Sequence, residues 1–509
     1  MKFDLGAIRL ALLSAAVLTA GAGFAQDDST MVIRYRGDLS TLDAQWQSSI
    51  NDLGVADNIY SQLLRYEPGT ADIIGDLAES WNVSDDGLTY TFHLRQGVQF
   101  HRGFGELTAH DVKWSYDRMV DPESTSPGRF HFSVVESIET PDDYTVVIHL
   151  KEPHSPFLGR LAYNARTGIQ SRGAIEQYGD DYTFNAVGSG PYMLERWIPG
   201  ERIILVANPD YYEEGLPRTE RIELVPIADD IVAAGAIETG ELAFGLFRNP
   251  DVIARLEARD NLVVDRTDQS AASALFFRMD RAPFDNPLVR EALFHAVNAQ
   301  ELVESVLTGV AVEAESFVAP FVPGALSGVD RPEYDPERAR ELLAEAGYDA
   351  STPLVLLSTQ LEPWPLVVPI LAFYLQEAGF NVEIRQLEHG TYGSERASGN
   401  YDMVVVTVTG PPDPDTWMAL VQSGNTPPGT NSSYYANPEV DELITRATTA
   451  VDPDSRVATY ERIQQLAIED RALLPLFHLT VQMVRDGSVA GFPVPNAHDF
   501  KLKTVYWDR

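Results

Sequence analysis

The chain has 509 residues, 44% of them hydrophobic, and no cysteine, so disulfides and a lipid-bearing cysteine are both excluded and apolar cores must hold it together. Its 38 lysines and arginines stand against 75 aspartates and glutamates, a net charge of −37, with the acids scattered rather than blocked. Such a surface repels nucleic acid and anionic lipid, which removes both from the expected partners.

Residues 1–25 carry Lys2 and Arg9, then an apolar stretch over 10–18, then small residues closing on Gly23-Phe24-Ala25. That order predicts a cleavable secretory signal rather than a membrane anchor, because the stretch is about half of the roughly 20 residues a span needs. The mature protein is expected to begin near Gln26 and to diffuse freely in a periplasm. Further on, Leu88, Tyr90, Phe92 and Leu94 alternate with Thr89, Thr91 and His93, the period-2 pattern of a half-buried strand. Asp85-Asp86-Gly87 before it and Gln96-Gly97 after it supply turns. Residues 144–150 and 202–207 read as further strands, so the first half is rich in strands and turns.

The second half changes character. Asn286-Pro287, Asp335-Pro336, Asn437-Pro438 and Asp452-Pro453 each pair a capping side chain with a proline suited to the first helical position. Val289, Ala292, Leu293, Ala296 and Val297 then recur at helical spacing, as do Val440, Leu443, Ile444 and Ala447. Gly347 closes the helix begun at Pro336. Between 354 and 422 the reading alternates: strand 354–358, helix 366–378, strand 382–387, short helix 391–398, strand 403–408, then a helix from Asp415. Alternation of this kind predicts a parallel α/β unit, in which ligands lie outside the carboxyl ends of the strands.

Several stretches together resemble the extracellular solute-binding proteins of family 5, the peptide, opine and nickel receptors of ABC importers. They include Leu77-Ala78-Glu79-Ser80-Trp81, the run 83–95, the segments 97–101 and 107–113, and Val187-Gly188-Ser189-Gly190-Pro191-Tyr192. Asn208-Pro209-Asp210-Tyr211, the run 283–293, the stretches 334–337 and 346–348, Asp413-Pro414-Asp415 and the run 437–441 follow in the order the family has them. The resemblance covers the chain from about residue 40 to its end. It implies an α/β fold of two hinge-linked lobes: lobe I over 26–275 with a subdomain near 60–185, lobe II over 276–485, and a return to lobe I over 486–509. It implies a ligand buried between the lobes, no catalysis and no cofactor. It also implies a soluble monomer that hands a small, peptide-like solute to the permease subunits of a membrane importer. Presentation of a loaded lobe to a chemoreceptor, or binding of a nickel chelate or sugar, fits the same fold.

The strand-end loops of the α/β unit gather Glu362 and Trp364; Glu388, His389 and Tyr392; and Asp413, Asp415 and Trp417. Aromatics with a few polar groups suit a small-molecule pocket, since stacking supplies burial and hydrogen bonds fix orientation. Asp415 can equally cap the helix that starts there, and Trp364 and Trp417 can equally pack a core. From the first lobe the resemblance points to Gln45, Trp46 and Gln47 behind Leu42-Asp43, and to Arg129, Phe130 and His131, with Trp46 and Phe130 foremost. The candidate ligand set is therefore Gln45, Trp46, Phe130, Glu362, Trp364, Tyr392, Asp413 and Trp417. Dipeptide-binding members place an acid just ahead of the Asp-Pro-Asp run, where this chain has Gly410-Pro411-Pro412, and an arginine in the loop that here, over 359–365, holds Glu362 and no cation. A buried ligand carboxylate without a cation is costly, so the sequence speaks against free dipeptides, and Glu362 and Glu388 suggest a cationic ligand. Gly188-Ser189-Gly190 lacks the spacing of a nucleophile elbow, and the 10 histidines include no close pair on one helix face.

Overall fold

The computed structural model describes residues 29–47, 49–163, 165–492 and 501–509, and the predicted export signal over 1–25 lies outside them. No helix among the described residues is long and apolar enough to cross a membrane.

The predicted α/β unit forms as the alternation requires. Strand Leu354–Thr359 runs parallel to Val382–Leu387 on one side and to Met403–Thr409 on the other. Helices Trp364–Glu377 and His389–Ala397 make the crossovers. The proline-started helices are capped by the side chains the sequence offered: Asn286 accepts from the amide of Leu288, Asp335 from those of Glu337 and Arg338, Asn437 from that of Glu439 and Asp452 from that of Ser455. Each cap satisfies amide donors that have no intrahelical partner. Gly347 follows the helix Pro336–Glu345 with φ at +68°, a left-handed turn that costs a glycine little.

The other lobe has its own parallel pairs, Thr30–Tyr35 beside Arg221–Pro226 and beside Phe244–Phe247. The antiparallel strands Tyr192–Ile198 and Arg202–Ala207 extend that edge. Both lobes belong to one twelve-stranded mixed sheet because a single strand, Leu474–Asp486, is shared between them. Its first part pairs with Ala271–Phe277 and Ala311–Glu313, and its second part with Leu262–Asp268 and Phe244–Phe247. The shared strand is buried along most of its length, polar His478 and Gln482 included. Where the shared strand changes partners, at Leu479-Thr480, the Gln269 amide donates to the Leu479 carbonyl at 3.1 Å.

A four-stranded antiparallel sheet of Ala78–Val83, Thr89–Leu94, Thr145–Leu150 and Val135–Asp142 forms a subdomain with a core of its own. Within Thr89–Leu94 the alternation points Tyr90, Phe92 and Leu94 into that core, where they meet Tyr116, Phe132 and Phe157. The C-terminal segment 501–509 returns to the first lobe. The Leu502 amide donates to Asn58 Oδ1 at 2.8 Å, Thr219 Oγ1 donates to the Val505 carbonyl at 2.6 Å, and Lys503 pairs with Glu213 at 2.6 Å.

Candidate functional site

A cavity of about 1050 Å³ opens between the lobes. One wall is the carboxyl end of the parallel strands: Thr359, Glu362 and Trp364 after the first, His389, Tyr392 and Arg396 after the second, and Thr409, Gly410, Asp413 and Asp415 after the third. This is where a parallel sheet leaves room, because the loops there are not tied to a neighbouring strand. The opposite wall comes from the subdomain, with Phe130, His131, His154, Arg160 and Arg166, and from Arg248 just beyond the end of strand Phe244–Phe247. Gln269 and Leu479, bonded to each other where the shared strand changes partners, also line it.

Five of the eight expected ligand residues reach this wall: Phe130, Glu362, Trp364, Tyr392 and Asp413. Phe130 is 55% exposed within the cleft and lies 3.8 Å, ring to ring, from His131. Trp364 is mostly core, packed against Phe477 with centroids 5.5 Å apart, and shows the cavity only an edge. Tyr392 is held by its hydroxyl, which donates to the Val405 carbonyl at 2.7 Å. Asp413 faces the cavity but is bound by Arg456 Nη2 at 2.6 Å.

The other three lie elsewhere. Trp417 has no solvent exposure and belongs to the core beneath the third strand-end loop, among Met418, Val421 and Val440. Its helix, Asp415–Met418, turns the indole inward while Asp415 and Thr416 face the cavity. Gln45 is fully buried, donating to the Gly168 carbonyl at 2.9 Å and accepting from Arg118 Nη1 at 2.6 Å. Trp46 carries the Arg118 guanidinium over its ring at 4.6 Å. Both therefore tie the opening turn of the chain to helix Ala109–Val120 rather than face the cleft. Of the remaining candidates, Gln47 donates to the Asp52 carbonyl and Arg129 to that of Asp121. Glu388 caps helix His389–Ala397 by accepting from Gly390 and Thr391, bonds that hold its carboxyl below the usual range, and it does not line the cavity. Asp415 makes no capping bond; it accepts from Thr448 Oγ1 at 3.0 Å and meets Arg160 of the facing subdomain at 3.5 Å.

The loop 359–365 carries no cation, as the sequence shows, and the cavity draws its cations from other segments. Four arginines, Arg160, Arg166, Arg248 and Arg396, line the cavity against three carboxylates, Glu362, Asp413 and Asp415. Two of those carboxylates are already paired, with Arg456 and Arg160. The sequence reading counted cations only within the loop 359–365, whereas these come from the facing lobe and from the next strand-end helix. Arg166 Nε donates to the Gln47 carbonyl at 2.9 Å, and Arg396 Nη1 reaches Gly429 and Ser432 at 3.3 and 3.2 Å. The Arg248 guanidinium makes no hydrogen bond to any described residue, nor does the Glu362 carboxylate. Water reaches Arg248 in the cleft, yet crowding by protein atoms, reinforced by nearby Arg36, pulls it down to about 10. Desolvation, then the charge of Asp230, raises Glu362.

His131 and His154 add two imidazoles to the subdomain wall. Burial, with Arg160 close by, pushes each down to about 3, so both are neutral at pH 7. Neither ring nitrogen of His131, nor Nε2 of His154, has a partner among the described residues. Imidazole nitrogens so placed can give or take hydrogen bonds from a bound molecule. Arg248, Arg396 and His154 were not singled out from sequence; the available signal was position, since Arg248 follows a strand end and Arg396 rides the same short helix as Tyr392.

A cleft between two lobes joined by paired strands, with arginines, imidazoles and aromatics converging from both sides, defines a protein that encloses a small solute. The chain belongs to the bacterial extracellular solute-binding proteins, family 5: the model described as "Bacterial extracellular solute-binding proteins, family 5 Middle" matches residues 72–428. It is similar to the glutathione-binding protein GsiB of Escherichia coli strain K12, 30% identical over 495 residues that span 95% of each chain. It is equally similar to di/tripeptide-binding protein 2 of Pseudomonas aeruginosa, 30% identical over 97% of this chain and 98% of that one. Among solved structures, the ABC transporter-associated periplasmic binding protein DppA of Helicobacter pylori, in complex with the peptide STSA, superposes with a TM-score of 0.82. That match has 27% identity and covers 94% of this chain and 98% of that one.

Proposed function

We propose that this protein captures a small anionic peptide between its lobes in the periplasm and delivers it to the permease of an ABC importer. The observation that carries this reading is the excess of arginine in the cavity wall, which a ligand carboxylate would neutralise by charge-assisted hydrogen bonds. A cavity of about 1050 Å³ has room for a di- or tripeptide with some water. Relatives named for glutathione and for di- and tripeptides support the peptide class. In this reading lobe I extends to residue 269 and resumes at 480, with lobe II over 271–479, a few residues earlier than the family resemblance suggested. The change of strand partners within Leu474–Asp486 supports those limits. Closure follows from affinity: only the closed form contacts the solute from both sides, so the solute favours it.

The test is titration calorimetry on mature protein stripped of endogenous ligand by unfolding and refolding. The panel would hold acidic and neutral di- and tripeptides, reduced glutathione, polyamines and short sugars. An acidic peptide is expected to bind and, at about a hundred times its Kd, to stabilise the fold by about 2.7 kcal/mol. Heat signals from polyamines or sugars alone would sink the reading.

A further inference from the structure

We propose that the lobes carry a latch of their own: the subdomain fastens onto the C-terminal end of helix Pro438–Thr449 and holds the cleft closed before a solute enters. The latch is made of direct protein bonds, so it is independent of the solute's chemistry and of the peptide reading above.

A helix ends in carbonyls that its own backbone leaves without donors. At the end of Pro438–Thr449, Thr449 Oγ1 donates back to the Thr445 carbonyl at 2.9 Å and the Ala450 amide to that of Ala447 at 3.3 Å. The Thr448 carbonyl takes its donor from the other lobe, the Ser155 amide at 2.8 Å. Ser155 Oγ adds a bond to the Ala447 carbonyl at 3.0 Å. The negative end of the helix dipole faces these donors and strengthens both bonds. Ser155 is rigidly presented: it lies between buried His154 and Pro156, and Phe157 is anchored in the subdomain core.

Two contacts flank this pair. Asp415, held in its own lobe by Thr448 Oγ1 at 3.0 Å, meets Arg160 of the subdomain at 3.5 Å. On the outer side, Val451 Cγ2 lies 3.3 Å from where a Cβ would stand on Gly87, in the turn joining strands Ala78–Val83 and Thr89–Leu94. Gly87 has φ at +68°, so the residue that makes the turn also lets the hairpin approach closely. Pro156, Arg160, Asp415 and Thr448 all line the cavity as well, so the latch forms one of its margins. A solute entering there has to part these bonds, and once inside it finds part of the work of closure already done by the protein.

The experiment uses the full mature chain, freed of endogenous ligand by unfolding and refolding. Because the chain has no cysteine, Asn82→Cys and Glu442→Cys create two unique exposed sites, one on the subdomain and one on the second lobe. Spin labels there report the distance between lobes by pulsed electron resonance. Without solute they are expected to show mainly the short separation of the closed form. Ser155→Ala removes one neutral hydrogen bond and should lower the closed-to-open ratio about fivefold. Val451→Asp sets a carboxylate beside the Asp85-Asp86 turn and should lower it further, whereas Val451→Lys should keep the cleft closed. Val451 is 56% exposed, and melting curves of each variant check that the fold is kept. A ligand-free wild type that is mainly open overturns the latch. A wild type that is closed, and stays equally closed when Ser155→Ala and Val451→Asp are combined, overturns it too, since closure is then held elsewhere.

Discussion

An indole with no solvent exposure, in the same core as Met418, Val421, Val440 and Tyr460, acts through its volume. Trp417→Ala is therefore expected to lower stability by about 3–5 kcal/mol, measured by urea denaturation, because the surrounding core relaxes only partly into the space. A loss below about 1 kcal/mol would place the ring outside the core. Trp417 also marks how far single residues were legible in the sequence. Composition and position near a strand end singled it out, but which face of a four-residue helix turns inward depends on packing from distant segments. Asp413 and Glu388 teach the same point for charge: both were found, yet one is taken up by Arg456, far along the chain, and the other by its own helix. The arginines of the wall escaped notice for the converse reason, since a charge contributed across a cleft has no periodicity to betray it.

Elements were far more legible than the site. The period of Leu88, Tyr90, Phe92 and Leu94 and the four proline-started helices are local signals, written within a few residues, and local signals survive into the fold. The caps carry a measurable share of stability. Asp452 accepts from the Ser455 amide at 2.8 Å at the head of helix Pro453–Glu469, and Asp452→Ala should cost about 1 kcal/mol. Thermal melts would register this as a fall of a few degrees or less, and Asp452→Asn should restore most of it. An unchanged melting point for the alanine variant would show that another group takes over the free amides. What local signals could not announce is that one strand serves two lobes. Within Leu474–Asp486, His478, Thr480 and Gln482 alternate with Leu479, Val481 and Met483, and that alternation does not say where the strand's partners change.

Four buried histidines make the whole molecule sensitive to acid: burial lowers His478, and it lowers His101, His131 and His154 further. His101 is pulled down to about 4 by burial, and its neutral form is matched to its surroundings: Nε2–H donates to the Gly190 carbonyl at 3.0 Å and Nδ1 accepts from the Gly188 amide at 3.4 Å. Burial takes His131 and His154 down to about 3. Because these values lie below the ordinary 6.5, the unfolded chain binds more protons than the folded one between about pH 6.5 and 3. Stability is then fully present above pH 6.5 and falls with pH across that window, by about 2 kcal/mol per histidine from pH 7 to 5. Melting points taken across that range should drop, and His154→Gln should make the drop shallower by about one proton's worth. An equal slope in wild type and variant would mean that the imidazole is already solvated and titrates normally.

The shared strand also bears on the order in which the protein can be completed as the chain emerges on the far side of the membrane. Thr30–Tyr35 and Phe244–Phe247 are made early, but the strand that covers the outer edge of Phe244–Phe247 belongs to residues 474–486, and segment 501–509, which packs near Asn58 and Thr219, comes last of all. The lobe that begins the chain can close its sheet only after nearly all of the other lobe has been synthesised. Until then it carries an open strand edge, so its completion is timed by the arrival of residues 474–486 rather than by the speed of its own local contacts.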